Sequence, residues 1–429
     1  MPTTVTKPTK QVAVMPADIT AAARRLAGTV VKRTPLEYSE RLSGRYGAHI
    51  YLKREDQQTV RSYKIRGALN LMAGLTDDER ARGAVTASAG NHAQGVALAA
   101  AKLQIKTVIF IPSGTPPQKV SRIRHFGGDW VELRLVGKTF DESLAAALKQ
   151  VAVSGAVFVH PFDDPRVIAG QGTVGLEIHE QLAKLDRVPD LVVAPIGGGG
   201  LISGIGTYLR PLHPQLRLIG VEPAGAPAMQ RSLDQGTRVT LTHIDKFVDG
   251  AAVNTVGRLT FEYAQSLVDQ VYTVPEGKTC TTMIELYQND GIIAEPAGAL
   301  ATSALDQLAG QIGGQTVVVV ISGGNNDVLR YPEILEKSLA YEGLKHYLLV
   351  EFEQKPGQLR QFVDQALGES DDITRFEYIK KTNKDRGAAL VGIEVAIQTD
   401  YAKLLDRLDR LGVSYRRLDQ GDLLYSYLV

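Results

Sequence analysis

The sequence has a single cysteine, Cys280, among 429 residues. One cysteine cannot form an intramolecular disulfide, so a disulfide-stabilised fold is excluded. The N-terminus lacks the apolar run of a signal peptide, which together with the lone cysteine predicts a reducing cytoplasm. The sequence also has no excess of positive or negative charge, because 48 Lys and Arg balance 47 Asp and Glu to a net charge of +1. No overall field therefore favours nucleic acid or an anionic membrane as a partner.

Metal-ligand spacing is missing as well. The 8 histidines and the one cysteine show none of the spacings typical of a metal site, so no metal is predicted. The sequence contains neither a GxSxG nucleophile motif nor the motif set of a protein kinase, and neither class is indicated. With 44% hydrophobic residues, 22% charged residues and a mean hydropathy of -0.07, the composition is that of a soluble globular protein.

Glycine, by contrast, is abundant. The 42 glycines make up close to a tenth of the chain, against roughly 7% in average proteins. Such an excess occurs either in flexible linkers or where the backbone is held in tight turns. Because no low-complexity segment or fixed-period repeat is present, we expect the glycines to lie in ordered turns.

The order of predicted strands and helices differs between the first and the last part of the chain, which predicts more than one domain in 429 residues. Residues 1–15 are rich in Thr, Lys and Pro and are predicted to form a tail. From Pro16 to about Leu339, short β-branched runs alternate with helical stretches, which predicts an α/β fold of βα units around parallel sheets. The predicted strands are 49–53, 84–88, 107–111, 130–135, 157–160, 191–196, 216–221, 271–274 and 317–321.

The chain from about Lys345 to the C-terminus, residues 345–429, has a different pattern. Strands are predicted at 347–352, 373–379, 388–397 and 414–418, with a helix after the first strand and another after the third. This βαββαβ order is that of a ferredoxin-like fold, with one further strand predicted near 423–428. The apolar face of the first helix is predicted to consist of Leu359, Phe362, Val363, Ala366 and Leu367.

Lys64 is a candidate reactive residue at the start of a predicted helix, in the segment Ser62-Tyr63-Lys64-Ile65-Arg66-Gly67-Ala68. It shares the apolar face of that helix, whereas Arg66 and Asn70 are predicted to point away. Burial disfavours the ammonium form of lysine and lowers its pKa, which leaves a nucleophilic amine suited to a Schiff base. The alternative is a lysine at a helix end whose ammonium group reaches solvent.

Four consecutive glycines, Gly197, Gly198, Gly199 and Gly200, follow a predicted strand and precede an apolar helix from Leu201. Without Cβ atoms, successive backbone N–H groups can converge on one anion, and the helix N-terminus adds partial positive charge. This pattern predicts a phosphate site, and the alternative is a flexible turn. Because Leu201 stands where a Walker loop needs lysine, a nucleoside triphosphate is not favoured.

A second glycine pattern, Gly170-Gln-Gly172-Thr-Val-Gly175, matches the dinucleotide-binding motif GxGxxG, with Asp190 about 20 residues further on. The nearest predicted strand ends around His160, so the glycines do not directly follow a strand as the motif requires. We therefore expect these glycines to lie in a helix start that packs closely on the sheet.

Two polar turns complete the set of candidate sites. Ser88-Ala89-Gly90-Asn91-His92 follows a predicted strand and opens a helix, where Asn91 is suited to cap the helix and free N–H groups to bind a carboxylate. His92 is expected to be structural. Ser322 begins a similar turn, Ser322-Gly323-Gly324-Asn325, after the strand 317–321. For both turns the alternative is a purely structural role.

These polar and glycine-rich turns sit at the carboxyl ends of predicted parallel strands, where open α/β sheets bind ligands. A buried lysine, a phosphate site, a carboxylate-binding turn and a hydroxyl donor together predict a site for pyridoxal phosphate and an amino acid. The alternatives are a nicotinamide dehydrogenase that uses the segment 170–175, and a non-catalytic amino-acid sensor that uses the C-terminal region alone.

The motifs SYKIRGA, SAGNHAQG, GGGGL, EPAGA and SGGN occur in the order of the fold type II pyridoxal-phosphate enzymes. Within that class the chain resembles the threonine dehydratases from about Ala17 to the C-terminus. The resemblance implies a core of two open parallel sheets over residues 16–340, with a smaller subdomain at about 56–164 inserted in the larger one. It also implies an ACT-like regulatory domain over residues 345–429.

The same resemblance implies a role for each candidate residue. Lys64 would form the Schiff base with pyridoxal 5'-phosphate, and Asn91 would bond its phenolic oxygen. Ser322 would lie at the pyridine nitrogen, and Tyr63 would pack near the ring. The phosphate would be held by Gly197, Gly198, Gly199, Gly200 and Leu201, and the substrate carboxylate by Ser88, Gly90, Asn91 and His92.

The activity implied is β-elimination of water from L-threonine, giving 2-oxobutanoate and ammonia. Isoleucine as inhibitor and valine as its antagonist would act through the single ACT-like domain, and a homotetramer or homodimer is implied. Other enzymes of the same fold stay as alternatives: a catabolic serine and threonine dehydratase, a racemase, a cysteine synthase, or an enzyme similar to threonine synthase.

Overall fold

The computed structural model describes residues 14–378, 385–419 and 422–428. These residues form two compact units. The first unit runs to Pro275 and continues over Leu286–Asn326, and the second comprises Glu276–Glu285 and the chain from Asp327 onward. The boundaries expected from the sequence, 1–15, 16–340 and 345–429, stay predictions.

The first unit is built on two open sheets. The larger sheet has the strand order β1-β2-β10-β7-β8-β9 and is parallel except for β1, and the smaller sheet has the parallel order β5-β4-β3-β6. This confirms the prediction of two parallel sheets. The strands are β1 Leu36–Tyr38, β2 His49–Arg54, β3 Ala84–Ala87, β4 Thr107–Ile111, β5 Val131–Leu135, β6 Val157–Phe158, β7 Leu191–Pro195, β8 Arg217–Pro223, β9 Gln270–Val274 and β10 Thr316–Ile321.

Helices follow most of these strands, as expected for βα units. They are α1 Pro16–Leu26, α2 Glu40–Tyr46, α3 Lys64–Ala73, α4 Asp77–Arg82, α5 Asn91–Leu103, α6 Pro117–Gly127, α7 Phe140–Ser154, α8 Pro165–Ala183, α9 Gly200–Leu212, α10 Ala228–Gln235, α11 Arg258–Leu267, α12 Glu276–Asp290, whose first ten residues belong to the second unit, α13 Pro296–Ser303 and α14 Leu305–Leu308. Helix α15 Tyr331–Tyr341 lies in the second unit.

The centre of the larger sheet is β10, whose sequence Thr-Val-Val-Val-Val-Ile is buried along its whole length. Val318 of β10 pairs with Tyr51 of β2 on one side and with Val192 of β7 on the other. A parallel strand covered on both faces is expected to be a continuous β-branched run rather than an alternating one. The core of this unit therefore lies on both faces of β10.

Close helix packing accounts for several glycines. Gly170 lies inside α8, where a Cβ atom would overlap the carbonyl oxygen of Arg66 in α3. On α5, a Cβ atom at Gly95 would lie 3.1 Å from the backbone nitrogen of Ile65 in α3. The segment 170–175 thus serves helix packing rather than a nucleotide, although its glycines pack on helices and not on the sheet as we expected.

The second unit contains a four-stranded antiparallel sheet with the order β12-β13-β11-β14. Its strands are β11 Lys345–Glu353, β12 Asp372–Tyr378, β13 Arg386–Glu394 and β14 Ser414–Leu418. Its helices are α16 Gln358–Gln361, which continues as a π-helical turn over Phe362–Ala366, and α17 Gln398–Arg410. The βαββαβ prediction is confirmed, and the core of the sheet includes Phe352, Val391 and Leu404.

Three details of the secondary structure differ from the sequence expectations. The predicted strand near 423–428 is wrong, because Tyr425–Tyr427 forms a short 3₁₀ helix and the segment lacks the alternation of a half-buried strand. Leu359 and Val363 are exposed although Phe362 is buried, since the π-helical turn changes the helical period. The short antiparallel strand β1 had no clear signal in the sequence.

Among the described residues, no helix is both long enough and apolar enough to cross a membrane.

Candidate active site

The candidate site lies at the carboxyl ends of β3, β7 and β10, where parallel strands of an open sheet present their following turns. Val159, just beyond β6, accepts a hydrogen bond from the ring of His92, and Tyr63 N–H donates to Ser322 O. The first contact holds α5 against the chain after β6, and the second holds the start of α3 against the turn after β10. The structure thus assembles residues that are more than 200 positions apart in the sequence.

Lys64 is the first residue of α3, and its amine points into the site. Lys64 Nζ donates to the carbonyl oxygen of Pro161 over 3.0 Å and lies 5.2 Å from the centroid of the Tyr63 ring. Burial lowers the pKa of Lys64 to about 8, against the opposing charge of Glu295. The expectation of an inward lysine is therefore met, and its amine is readily available in the neutral, nucleophilic form.

The four glycines form the turn between β7 and α9, and α9 begins at Gly200. The aromatic ring of Phe162, next to the residue that accepts from Lys64, covers Gly198 so closely that a Cβ atom there would overlap it. Thr260 Oγ1 donates to Gly198 O over 2.5 Å and fixes the turn from the other side. A glycine turn in front of a 13-residue helix fits a phosphate group.

Ser322 follows β10 directly and is 3% exposed. Its hydroxyl donates to Ala297 O over 3.1 Å, and its carbonyl oxygen accepts from Tyr63 N–H over 3.3 Å. Burial raises the pKa of the Tyr63 phenol, so this ring stays uncharged. Ser322, Tyr63 and Lys64 are therefore neighbours, as their predicted roles require.

The turn after β3 contains Ser88 and Gly90, and Gly90 N–H donates to Ser88 Oγ over 3.2 Å. Asn91 does not cap the helix as we expected, because Gly90 is the cap residue and Asn91 is the first residue of α5. The Asn91 side chain turns away from the helix end and bonds Glu295 and Asn325. Its amide is thus held by Glu295, just before α13, and by Asn325, after β10, rather than by its own helix.

His92 is buried, and its Nε2 lies 2.9 Å from Val159 O. Burial, followed by the charge of Lys64, lowers the pKa of His92 to about 3. The imidazole is therefore neutral at physiological pH and bound to the backbone, in agreement with a structural role for the side chain. Its Nδ1 has no partner among the described residues and is the acceptor nitrogen when Nε2 donates, so the ring cannot donate to a carboxylate and the backbone N–H of His92 is left for that role.

Glu295 was not among the predicted site residues, although it begins the EPAGA motif. The same five residues also occur at Glu222, and the sequence alone does not distinguish the two copies. In the structure Glu295 contacts Asn91, whereas Glu222 accepts from the N–H groups of Met229 and Gln230 at the start of α10. Only the copy at 295 belongs to the site.

A buried charge network beneath α3 was also missed. Arg66, which was expected to point away from the apolar face, is 1% exposed and bonds the carboxylates of Glu55 and Glu177. Lys53 donates to the same Glu177. Arg66 is two residues from Lys64, so this network anchors the helix that carries the reactive lysine. A helical pattern does not reveal such partners, because they lie on other elements.

Several buried polar atoms around the site have no partner within the described chain. They are Ser62 Oγ, His92 Nδ1, Gln171 Oε1 and Asn325 Oδ1. Buried polar groups are nearly always hydrogen-bonded, so these atoms favour a polar ligand at this place. The glycine turn, the amine and the unpartnered atoms together fit pyridoxal phosphate. Within residues 14–378, 385–419 and 422–428, no three or more His, Cys, Asp or Glu side chains are grouped as metal ligands would be.

Comparison with known proteins agrees with this geometry. Residues 28–323 match the family model of pyridoxal-phosphate dependent enzymes, and residues 336–428 match that of the C-terminal regulatory domain of threonine dehydratase. The biosynthetic L-threonine dehydratase IlvA of Mycobacterium tuberculosis is 52% identical over 415 residues, which is 96% of each chain. The chain belongs to the threonine dehydratase family.

Other relatives cover between 75% and 96% of the chain. IlvA of Halalkalibacterium halodurans is 49% identical over 412 residues, covering 96% of this chain and 98% of that protein. The solved structure of the processed threonine deaminase isoform 2 from Solanum lycopersicum is 40% identical with a TM-score of 0.70, over 75% of this chain and 86% of that one. Maize serine racemase is 31% identical with a TM-score of 0.70, over 77% and 99% of the two chains.

Proposed function

We propose that the protein is a threonine dehydratase that uses pyridoxal 5'-phosphate to remove water from L-threonine, giving 2-oxobutanoate and ammonia. The observation that carries this proposal is the amine of Lys64, which has a lowered pKa and donates to Pro161 O, next to the Phe162 ring that covers Gly198 of the glycine turn. Membership of the threonine dehydratase family supports the choice of substrate. The serine racemase fold is shared at lower identity and does not favour a racemase.

Each site residue has a proposed task in holding the cofactor. Lys64 would bind it covalently, Asn91 would donate to its phenolic oxygen, and Tyr63 would pack near the ring. The Ser322 hydroxyl would serve the pyridine nitrogen. The phosphate would be held by Gly197, Gly198, Gly199, Gly200 and Leu201. These assignments rest on the arrangement of the turns at the carboxyl ends of β3, β7 and β10 and on the unpartnered polar atoms beside them.

The cofactor, when bound, supplies an electron sink that makes the α-proton of the amino acid acidic. The amine of Lys64 would be the base that removes this proton, since burial lowers its pKa to about 8 and so increases the fraction of neutral amine near physiological pH. The substrate carboxylate is held by Ser88, Gly90 and Asn91 and by the backbone of His92. The His92 ring takes no part, because it is neutral and already bonded to Val159 O.

Ser322 suits elimination better than reactions that need a strong electron sink. A neutral hydroxyl does not stabilise a protonated pyridine nitrogen as a carboxylate would, so less charge is drawn into the ring. In β-elimination the departing hydroxyl of threonine relieves the developing negative charge. The Ser322 hydroxyl already donates to Ala297 O, and rotation of this hydroxyl would let it serve the cofactor nitrogen.

We further propose that the ferredoxin-like unit binds isoleucine as inhibitor and valine as its antagonist. We expect the enzyme to act in the cytoplasm as a homotetramer or homodimer. The family match of residues 336–428 to a regulatory domain supports the regulatory role. Titration of isoleucine and valine against threonine turnover, with light scattering for the assembly, tests these proposals.

The experiment for the main proposal compares Lys64→Ala with Lys102→Ala, a substitution of an exposed lysine on α5. With purified protein, pyridoxal phosphate and threonine, we expect the unchanged protein and Lys102→Ala to release a 2-oxo acid. Lys64→Ala should lose this activity and the cofactor absorbance band near the visible edge. Undiminished 2-oxo acid production by Lys64→Ala would reject the assignment.

A further inference from the structure

Glu295 is a buried carboxyl group that the proposed chemistry has not yet used. It is 5% exposed and stands immediately before α13. Its backbone N–H donates to Gly323 O over 3.1 Å, which ties it to the turn that begins with Ser322. Burying a carboxyl group is costly unless it has partners, so its place inside the site calls for a specific role.

The partner of this carboxyl group is the amide of Asn91. Asn91 Nδ2 donates to Glu295 Oε1 over 2.5 Å, and Asn91 Oδ1 accepts from Asn325 Nδ2 over 2.7 Å. A carboxylate accepts and the Asn325 amide nitrogen donates, so the two ends of the Asn91 amide cannot exchange places. One N–H of Asn91 Nδ2 then remains for a ligand.

Glu295 provides one of the two hydrogen bonds that fix this orientation. Asn91 begins α5, which follows β3 of the smaller sheet, whereas Glu295 lies just before α13 and Asn325 follows β10 of the larger sheet. Among the described residues, the Asn91 amide bonds Glu295 and Asn325, neither of which belongs to α5. Glu295 and Asn325 therefore hold the Asn91 amide, which lies beyond the smaller sheet, against the segments that lie beside the larger sheet.

We propose that Glu295 is a positioning residue for the elimination, which orients the Asn91 amide toward the cofactor's phenolic oxygen and places a negative charge beside the amine of Lys64. This inference rests on the proposed function, because it takes Lys64 and Asn91 as cofactor-binding residues.

The negative charge of Glu295 raises the pKa of the Lys64 nitrogen. Burial, followed by the charge of Asp249, raises the pKa of Glu295 to about 7. Above that pH the ionised carboxyl group favours a protonated nitrogen at Lys64 and so raises the pKa of that nitrogen. The titratable or charged groups that interact with Glu295 are Tyr63, Lys64, Lys119, Arg122 and Asp249.

The test uses two substitutions in the full-length holoenzyme. Glu295→Gln keeps an oxygen that can accept from Asn91 but removes the charge, whereas Glu295→Ala removes both. We expect Glu295→Gln to lower, by about one pH unit, the midpoint at which the absorbance of the bound cofactor changes with pH. We expect Glu295→Ala to weaken pyridoxal phosphate binding at least about tenfold, measured by equilibrium dialysis, since the Asn91 amide then keeps only Asn325 as a partner and is held less firmly.

The matched control is Glu222→Gln, which changes a second buried carboxyl group of an identical EPAGA segment outside the site. It should leave the absorbance midpoint unchanged. If Glu295→Ala fails to fold, Glu295→Gln alone decides. A midpoint in Glu295→Gln equal to that of the unchanged protein overturns the inference. Failure of the proposed function is recognised separately, because the unchanged protein would then show no absorbance that depends on Lys64.

Discussion

The side-chain nitrogen of Lys53 lies 2.6 Å from a carboxylate oxygen of Glu177, and the Lys53 side chain is fully buried. Glu177 also accepts from Arg66, which in turn bonds Glu55. Two cations and two carboxylates thus form a closed network between β2, α3 and α8. Such a network is stable only as a whole, since each member compensates the buried charge of another.

Replacing Arg66 by Met should therefore destabilise the protein strongly. The variant leaves Glu55 and Glu177 with only the single charge of Lys53, and breaking a buried network in this way costs about 3–5 kcal/mol. The free energy of unfolding in urea measures the effect. Arg258→Met is the control, because that side chain is 70% exposed and pairs with Glu262 on one helix, so it should cost less than about 1 kcal/mol. Equal losses in the two variants would contradict the prediction.

Lys64 should lower the stability of the cofactor-free protein at neutral pH. Its pKa in the folded protein, about 8, lies below its ordinary value of 10.5, so the folded state disfavours the protonated amine. The buried amine therefore costs no stability above about pH 10.5, and the free energy of unfolding falls as the pH is lowered from there toward 8. Lys64→Met should raise the free energy of unfolding at pH 7 by about 1–3 kcal/mol, and the gain should vanish near pH 10.5.

Urea unfolding of the cofactor-free protein at the two pH values measures this difference. Lys102→Met, at an exposed position on α5, should have the same small effect on the free energy of unfolding at both pH values. A Lys64→Met protein that is less stable than the unchanged protein at pH 7 would show that the amine is not penalised by burial.

The regulatory response should depend on the packing of the ferredoxin-like sheet. Leu404 on α17 is fully buried in the core of that unit, and Leu404→Ala should destabilise the unit by about 2–5 kcal/mol. We expect threonine turnover to persist and inhibition by isoleucine to weaken, measured as the isoleucine concentration for half inhibition. Leu423→Ala, at a position 74% exposed, should leave both unchanged. Full isoleucine inhibition in a Leu404→Ala protein with a melted second unit would place the effector site elsewhere.

Much of the fold could be predicted because the relevant signals are local. The run 317–321 is apolar and β-branched throughout, which predicts a buried strand, and the glycines after Ile196 mark the turn that follows another strand. Lys64 could be proposed from its position on an apolar helix face. The second unit followed from two amphipathic helices between short strands.

The missed features depend on contacts between distant residues. Asn91 and Glu295 are 204 positions apart, and Arg66 and Glu177 are 111 apart. Periodicity marked Arg66 as outward because a pattern along one helix does not show a carboxylate on another. The predicted strand near 423–428 failed for a related reason: apolar residues alone do not specify a strand when no neighbouring strand pairs with them.

The contact of α5 with α3 at Gly95 has a consequence for catalysis. Lys64 and Asn91 are the first residues of these two helices, and the helices meet where a Cβ atom would lie 3.1 Å from the backbone of Ile65. The spacing of the two functional groups is therefore set by the distance between two helix axes and less by the rotamers of either side chain. A methyl group at Gly95, one helical turn from Asn91, would push α5 and α3 apart and change the distance between the Asn91 amide and the Lys64 amine.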